Sequence, residues 1–125
     1  MAVRTLVIPW TTIVVNSTTG KFFPCTPYID PATARKARFT FEAQVIVGDP
    51  KVRPAYQHAD VEDAPGSYQT LGTARTTSGV QYPTAMESLT DPEGAQFTRF
   101  GFEGANDAGM DLSVMRVGGK VEFSD

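Results

Sequence analysis

The most regular pattern along the chain lies in residues 38–47, where apolar and polar side chains alternate. The apolar positions are Phe39, Phe41, Ala43, Val45 and Val47. Successive side chains of an extended strand point to opposite faces, so this period of two predicts a strand with one face on a core and the other in water. A helix would scatter the same apolar residues around its circumference.

Other segments are rich in β-branched and aromatic residues and are bounded by turn residues, which predicts further strands. They are Val3–Ile8, Thr11–Val15, Val52–His58, Tyr68–Thr73, Gly79–Thr84 and Gln96–Phe102. Pro9 separates the first two and predicts a bend or an edge position, because proline cannot donate to a ladder. The residues 91–94, Asp-Pro-Glu-Gly, form a good type I turn sequence before the segment Gln96–Phe102.

The pattern near the C-terminal end of the sequence admits two interpretations. Leu112 and Val114 are in phase with each other, whereas Val117, Val121 and Phe123 are in the opposite phase. A two-residue hairpin at residues 118–119, both glycine, would restore a common face. A single long strand with a bulge near Met115 would do so equally well, and the pattern does not choose between the two.

One short helix is predicted over residues 31–37. Asp30 is a good N-cap, Pro31 suits the first turn, and the residues that follow favour a helix. Gly and Pro elsewhere recur at intervals of about eight to twelve residues, a rhythm typical of sandwiches and barrels. The predicted fold is an all-β antiparallel β-sandwich of roughly eight strands, jelly-roll-like, with one short helix.

Length and charge agree with a single domain over residues 1–125, in which residues 1–15 form a strand or an extended N-terminal arm. The net charge of −3 is unevenly distributed: residues 1–58 carry +4 and residues 59–125 carry −7. Such asymmetry could steer association, but a sandwich that interleaves its halves would mix the two charges on its surface. Cys25 is the one cysteine, so no intrachain disulfide can form, and a small buried side chain is expected there.

The apolar run at the start of the sequence is short and is interrupted by Thr5, Pro9 and Thr11. A secretion signal needs about seven to fifteen uninterrupted apolar residues, and a membrane helix needs about 20. The sequence therefore predicts neither export nor membrane association.

Candidate catalytic and metal-binding residues do not form a recognisable set. His58 is the single histidine, two residues before Asp60, and no nucleophile elbow accompanies it, which favours a surface or loop-packing role. Acidic residues cluster in 60–63 and 106–111, but neither cluster has the spacing of a calcium loop. We predict no enzyme activity, no catalytic, cofactor-binding or metal-binding residues, and no cofactor.

Nucleic-acid binding and glycan binding each require particular residues on the surface. The best basic patch is Arg35, Lys36 and Arg38, which is small, so nucleic-acid binding is not favoured. Glycan binding needs exposed aromatic rings beside polar groups. The candidate rings are Trp10, Tyr28, Tyr56, Tyr68 and Tyr82. Tyrosines near strand ends, however, are also ordinary residues at the rim of a core.

Together with this strand order, the segments 99–102 (Arg-Phe-Gly-Phe) and 116–121 (Arg-Val-Gly-Gly-Lys-Val) give the chain a resemblance to a known group of proteins. It resembles the small jelly-roll or β-sandwich proteins on virions of tailed bacteriophages, including capsid decoration proteins. The resemblance is one of whole-chain architecture, and no functional residue is carried over. It implies a location in the virion and symmetric assembly with protein partners, either copies of itself or a capsid lattice. The arm over Ala2–Val15 is then a candidate for strand pairing between subunits.

The sequence therefore predicts a non-enzymatic structural or assembly protein, in particular a bacteriophage virion component. A carbohydrate-binding β-sandwich module is the alternative, which the chain also resembles, and a calcium-dependent adhesion or accessory domain is a third.

Overall fold

The computed structural model describes residues 3–61, 64–72, 76–77, 79–81, 86–90, 96–107 and 109–125. In these ranges the chain forms strands and one turn of 3-10 helix. The strands are β1 (Arg4–Val15), β2 (Lys21–Pro24), β3 (Lys36–Val47), β4 (Pro50–Val61), β5 (Ala64–Thr70), β6 (Gly79–Gln81), β7 (Glu87–Ser88), β8 (Phe97–Asn106) and β9 (Ser113–Ser124).

The strands form two antiparallel sheets, and the chain passes repeatedly from one sheet to the other. Sheet A has the order β1-β9-β3-β6, with β7 also pairing with β3, and sheet B has the order β2-β8-β4-β5. Each sheet thus places strands from the end of the chain between strands from its beginning. This interleaving is the jelly-roll arrangement of two Greek keys, so the predicted fold class is confirmed.

The core lies between the inner faces of the two sheets and is mainly aromatic. Phe39 of β3 packs edge-on against Phe100 and Phe102 of β8, with ring centroids 5.8 and 5.6 Å apart. Phe41 lies 5.1 Å from Phe102. Edge-to-face aromatic pairs at such distances add about 0.5–1.5 kcal/mol to the gain from burial, so this contact joins the two sheets firmly.

The first predicted strands are one continuous strand, β1, with an irregularity at the proline. Ile8 lies opposite Gly119 and Thr11 opposite Val117, so Pro9 and Trp10 together face Gly118 of β9. This is a β-bulge, which leaves an extra residue unpaired and tolerates a residue without an N–H. Pro9 therefore lies in an edge strand, as predicted, but does not divide it.

The alternation in β3 is confirmed as far as Ala43 and then fails. Phe39, Phe41 and Ala43 are buried, whereas Val45 and Val47 are exposed. The pairing with β9 shifts between Val45 and Val47, so Ile46 is an extra residue there. The bulge turns Val47 to the outer face.

The C-terminal segment is one straight strand, and the hairpin alternative is wrong. Met115, Val117, Val121 and Phe123 all face the core at alternate positions. Leu112 is exposed, and Val114 is only partly covered. Because these two residues do not face the core, β9 needs no bulge of its own; the register shift near Met115 belongs to its partner β3.

The predicted short helix is a single 3-10 turn at Pro31–Thr33. Asp30 caps it as expected, since its carboxylate accepts a hydrogen bond of 2.9 Å from the Ala32 N–H. Ala34, with φ −131° and ψ 69°, has already left the helical conformation, and β3 begins at Lys36. The predicted helix over 31–37 is therefore wrong, because the chain from Lys36 onward is a strand of sheet A.

The remaining predicted strands are present with shifted bounds. The segment predicted at Val52–His58 lies in β4, and that at Gln96–Phe102 in β8, which continues to Asn106. Tyr68 to Thr70 and Gly79 to Gln81 are extended, whereas Thr73 and residues 82–84 lie outside the described residues. No helix in the described part of the chain is long and apolar enough to cross a membrane.

Candidate functional surfaces

His58, the one candidate catalytic base, is buried and fixed by two hydrogen bonds. Its Nε2 lies 3.0 Å from the Thr90 carbonyl oxygen, and its Nδ1 lies 2.6 Å from the Thr98 hydroxyl. A carbonyl can only accept, so Nε2 carries the proton and Nδ1 accepts from Thr98. The imidazole therefore ties β4 and β8 to the segment around Thr90, which is the loop-packing role expected from the sequence.

Cys25 is half-buried and packs against the core. Burial raises the pKa of its thiol to about 11. The Sγ lies 3.4 Å from the carbonyl oxygen of Phe23. A thiol with so high a pKa is almost entirely protonated near neutral pH, so Cys25 is a packing residue and a poor nucleophile.

In the acidic cluster at 106–111, Asn106 and Asp107 make contacts within the chain. The Asn106 side-chain amide donates to the Met110 carbonyl at 2.7 Å, and the Asn106 Oδ1 accepts from the Ser113 hydroxyl. Asp107 pairs with Lys51 at 3.4 Å. The cluster at 60–63 lies outside the residues whose side chains are described. In the rest of the described chain, no three His, Cys, Asp or Glu side chains are placed to hold a metal ion.

The outer face of sheet B carries an arginine held between two aromatic rings. The Arg99 guanidinium lies 4.7 Å from the centre of the Tyr28 ring and 5.7 Å from that of Phe22. Both its Nε and one Nη donate to the Gln57 Oε1, at 2.9 and 2.7 Å. These contacts fix Arg99 against its own sheet.

A second set of contacts on this face covers the middle of the sheet. Phe22 of β2 and Tyr68 of β5 stack with ring centroids 5.6 Å apart, although β8 and β4 separate their strands. The Tyr68 hydroxyl donates to Glu103 at 2.8 Å, and Arg53 lies 3.3 Å from the same carboxylate. As a result, Ala55 beneath the rings is completely buried and Glu103 is only 5% exposed.

The tyrosines considered for glycan binding are therefore used in packing where they are described. Tyr28 and Tyr68 belong to the contacts on sheet B, and Tyr56 is buried with its hydroxyl accepting from the Thr90 N–H at 2.7 Å. Tyr82 lies outside the described residues. Sequence reasoning missed this arrangement, because residues far apart in the sequence build it and only the strand order brings them together.

The outer face of sheet A is charged at the end where β1 and β3 begin. Arg38 pairs with Glu122 at 3.0 Å, and Lys120 lies 3.7 Å from the same carboxylate. The hydrogen bond from Arg38 is the main cause that lowers the pKa of Glu122. The predicted basic patch is thus partly neutralised by an acid from the other half of the chain. Arg53–Glu103 and Lys51–Asp107 join the two halves in the same way, so the charge asymmetry mixes on folding.

Trp10 occupies the middle of the same face, above Gly118. A Cβ on Gly118 would lie only 3.1 Å from the indole, so the missing side chain makes room for the ring. The Arg116 guanidinium lies 5.3 Å from the ring centre. Trp10 remains 45% exposed, which makes it the candidate sugar-stacking ring that is still accessible in the described residues.

The opposite end of this face is apolar. Val14, Val114 and Val47 are register partners across β1, β9 and β3, and they form what we call the valine row. Val14 and Val47 are about half exposed, as are Ile46, Met110 and Leu112. Exposed aliphatic side chains gathered in this way mark interaction sites more often than isolated ones do.

The free edge of sheet A is the long strand β1. It pairs with β9 from Arg4 to Val15, and no other strand of the described residues pairs along its opposite edge. The predicted arm is thus a strand of its own sheet. Val7, near its middle, is 76% exposed.

Comparisons with known proteins find this fold in chains of solved structures. No protein-family model matches the sequence, and no curated protein matches it. A chain in the structure of infectious bursal disease virus Gt strain matches 97% of this chain and 32% of its own length, with a TM-score of 0.63 and 10% identity. A chain of the Gx strain matches 97% of this chain and 31% of its own length, with a TM-score of 0.59 and 10% identity. This chain thus spans about a third of the chains it matches, and the likeness shows a shared fold.

Proposed function

We propose that the chain is a non-enzymatic structural protein that assembles with protein partners in a virion. The observation that carries this proposal is the jelly-roll order of its strands, shared over 97% of the chain with chains of a virus structure. Jelly rolls also occur in lectins and cupins, so the fold alone does not select the function. The surface adds to the case.

The accessible features of the surface suit protein contacts better than chemistry. His58, Cys25 and the cluster around Asn106 are held by contacts within the chain. The accessible apolar features of the described residues include the valine row and its aliphatic neighbours, Trp10, and the edge of β1. Burial of such side chains is the main driving force of protein association.

Within this class, we propose a component of a tailed bacteriophage virion, such as a capsid decoration or other accessory protein. The all-β jelly-roll architecture supports this assignment. Such proteins act by occupying repeated positions on a symmetric shell, so one modest interface, used many times, is sufficient for stable attachment.

The test is the native size of the endogenous protein in a lysate of its source. We expect elution in a megadalton fraction that contains regular particles by negative-stain electron microscopy. Elution near 13.5 kDa, the mass of one chain, or as a small oligomer would overturn the virion assignment. A titration with sugars, followed by Trp10 fluorescence, tests the alternative: a saturable change would favour a carbohydrate-binding module.

The contribution of the valine row is tested by Val47→Thr, with Val3→Thr as the matched control. The two valines are equally exposed, at 52% and 51%, but Val3 lies before β1 and away from the row. We expect Val47→Thr to lower the share of protein in the particle fraction and Val3→Thr to leave it unchanged. Equal effects would show that the row is not the contact.

A further inference from the structure

The edge of β1 differs from the other sheet edges in the described residues. β2 has four residues and ends in Pro24, β6 has three and β7 has two. β5 has seven residues and contains Pro65. Proteins commonly blunt edges by short strands, prolines or lysines, because an open edge pairs with other strands. β1 has twelve residues, Arg4 at its start is its one charged residue, and its single proline, Pro9, lies in the bulge between two regularly paired stretches.

From this edge we infer that β1 pairs antiparallel with β1 of a second copy, about a twofold axis that places Val7 opposite the partner's Val14. This inference rests on the proposed function and names the partner for one contact of the assembly. A free strand edge offers backbone N–H and C=O groups in a row, and a second strand is the occupant that satisfies them.

The register follows from the side chains of β1. If Val7 faces the partner's Val14, twofold symmetry makes Val14 face the partner's Val7, so both exposed β1 valines gain an apolar neighbour. The same register sets Ile8 opposite the partner's Ile13 on the inner side. The stretches on either side of the bulge then pair, residues 6–8 with the partner's residues 13–15, and Arg4 lies beyond them. Directly opposite aliphatic pairs contribute about 0.2–1 kcal/mol each.

The backbone is compatible with this register in spite of the bulge. Val7 and Val14 lie opposite Lys120 and Val114, which are both even-numbered positions of β9. Backbone groups alternate in direction along an antiparallel strand, so residues opposite even positions of β9 all belong to one hydrogen-bonding class. Val7 and Val14 therefore present the same pattern to the free edge, and each can pair with the other across a twofold axis.

Charge does not oppose the contact. Twofold pairing brings identical residues near each other, and like charges directly opposite would destabilise it. Because Arg4 lies outside the paired segment, the residues that meet carry no charge. A contact through one strand is smaller than the roughly 800 Å² per partner of a standard interface. We therefore expect a weak dimer in dilute solution that strengthens when many copies share a lattice.

Disulfide trapping tests the inference with the purified chain. Val7→Cys and Val14→Cys are prepared separately, oxidised mildly at high concentration, alone and as an equimolar mixture, and analysed by non-reducing electrophoresis. The proposed register puts the two new cysteines opposite each other only in the mixture. In either variant alone, the seven-residue offset separates them by about 23 Å, at about 3.3 Å per residue, too far for a disulfide. The unmodified chain is the control for Cys25.

We expect at least tenfold more covalent dimer in the mixture than in either variant alone. A dimer of either variant by itself would overturn the register, and equal low yields in all three samples would overturn pairing along β1. These outcomes are independent of the lysate test. Megadalton elution without trapping would leave the virion assignment standing and reject this contact, whereas trapping with a small native size would do the reverse.

Discussion

Tyr68 and Tyr28 offer a matched test of the contacts on the outer face of sheet B. Both side chains are half-buried beside the same cluster, and Tyr→Phe keeps the ring while removing the hydroxyl. The Tyr68 hydroxyl donates to the buried Glu103 at 2.8 Å. The Tyr28 hydroxyl is buried without a hydrogen-bond partner in the described part of the chain. The same chemical change therefore removes a hydrogen bond at one position and an unsatisfied group at the other.

The magnitudes follow from these environments. A hydrogen bond to a charged group contributes about 1.5–3 kcal/mol, and Glu103, at 5% exposed, cannot replace it readily with water. Tyr68→Phe should lower the free energy of unfolding by that amount. With an unfolding entropy of about 2.1 cal/mol/K per residue, the melting temperature should fall by about 6–11 °C. Tyr28→Phe should be neutral or slightly stabilising, because it removes a buried polar group that has no partner.

Urea unfolding followed by fluorescence measures both variants. We expect the midpoint to fall for Tyr68→Phe at an unchanged slope, since a change in slope would signal a different unfolded state. The reasoning is refuted if Tyr68→Phe costs less than about 0.5 kcal/mol, or if Tyr28→Phe costs as much as Tyr68→Phe.

Two further predictions concern the close approach of β2 to β8 and the thiol of Cys25. A Cβ on Gly101 would overlap the backbone carbonyl of Phe23, whereas one on Gly104 would meet side chains, at 3.0 Å from Val15 Cγ1. Gly101→Ala should therefore destabilise by about 3 kcal/mol or more and Gly104→Ala by about 1 kcal/mol or less; similar values in urea unfolding would contradict the β2–β8 register. Because folding raises the pKa of Cys25 from 9.0 to about 11, its stabilising contribution is complete below pH 9 and is lost between pH 9 and 11. Alkylation at pH 8 should be slow until urea unfolds the chain, and rapid labelling of the folded protein would show an exposed thiol.

Local patterns predicted the strands well where one face of the strand is buried. The alternation from Phe39 to Ala43 and the aromatic run that ends at Phe102 are both confirmed. The charge mixing of a sandwich is also observed, with Arg38 on Glu122. For the strands, a short stretch of sequence carries the information, because the period of two is a property of one strand.

The predictions were wrong where the conformation of a segment depends on a distant part of the chain. Leu112 is apolar yet exposed, and a phase that includes it falsely requires a hairpin or bulge in β9. Ile46 is an extra residue only because β9 runs straight past it. The burial of Glu103 depends on Tyr68 and Phe22 leaning across two strands, which no local pattern encodes. The surfaces proposed for assembly belong to this second group, since Val14 and Val47 come to lie in one row only because both pair with Val114 of β9.

The position of β9 between β1 and β3 has a consequence for the order of events during synthesis. Arg4 pairs with Phe123, so β1 cannot join its own sheet until nearly all residues of the domain have left the ribosome. At about 5–20 residues per second, β1 waits for roughly 5–20 s with both edges unsatisfied. Neighbouring ribosomes on one mRNA carry nascent chains in which β1 is also unpaired at both edges. A delayed partner strand of this kind leaves the edge of β1 open to pairing with the same strand of another nascent chain.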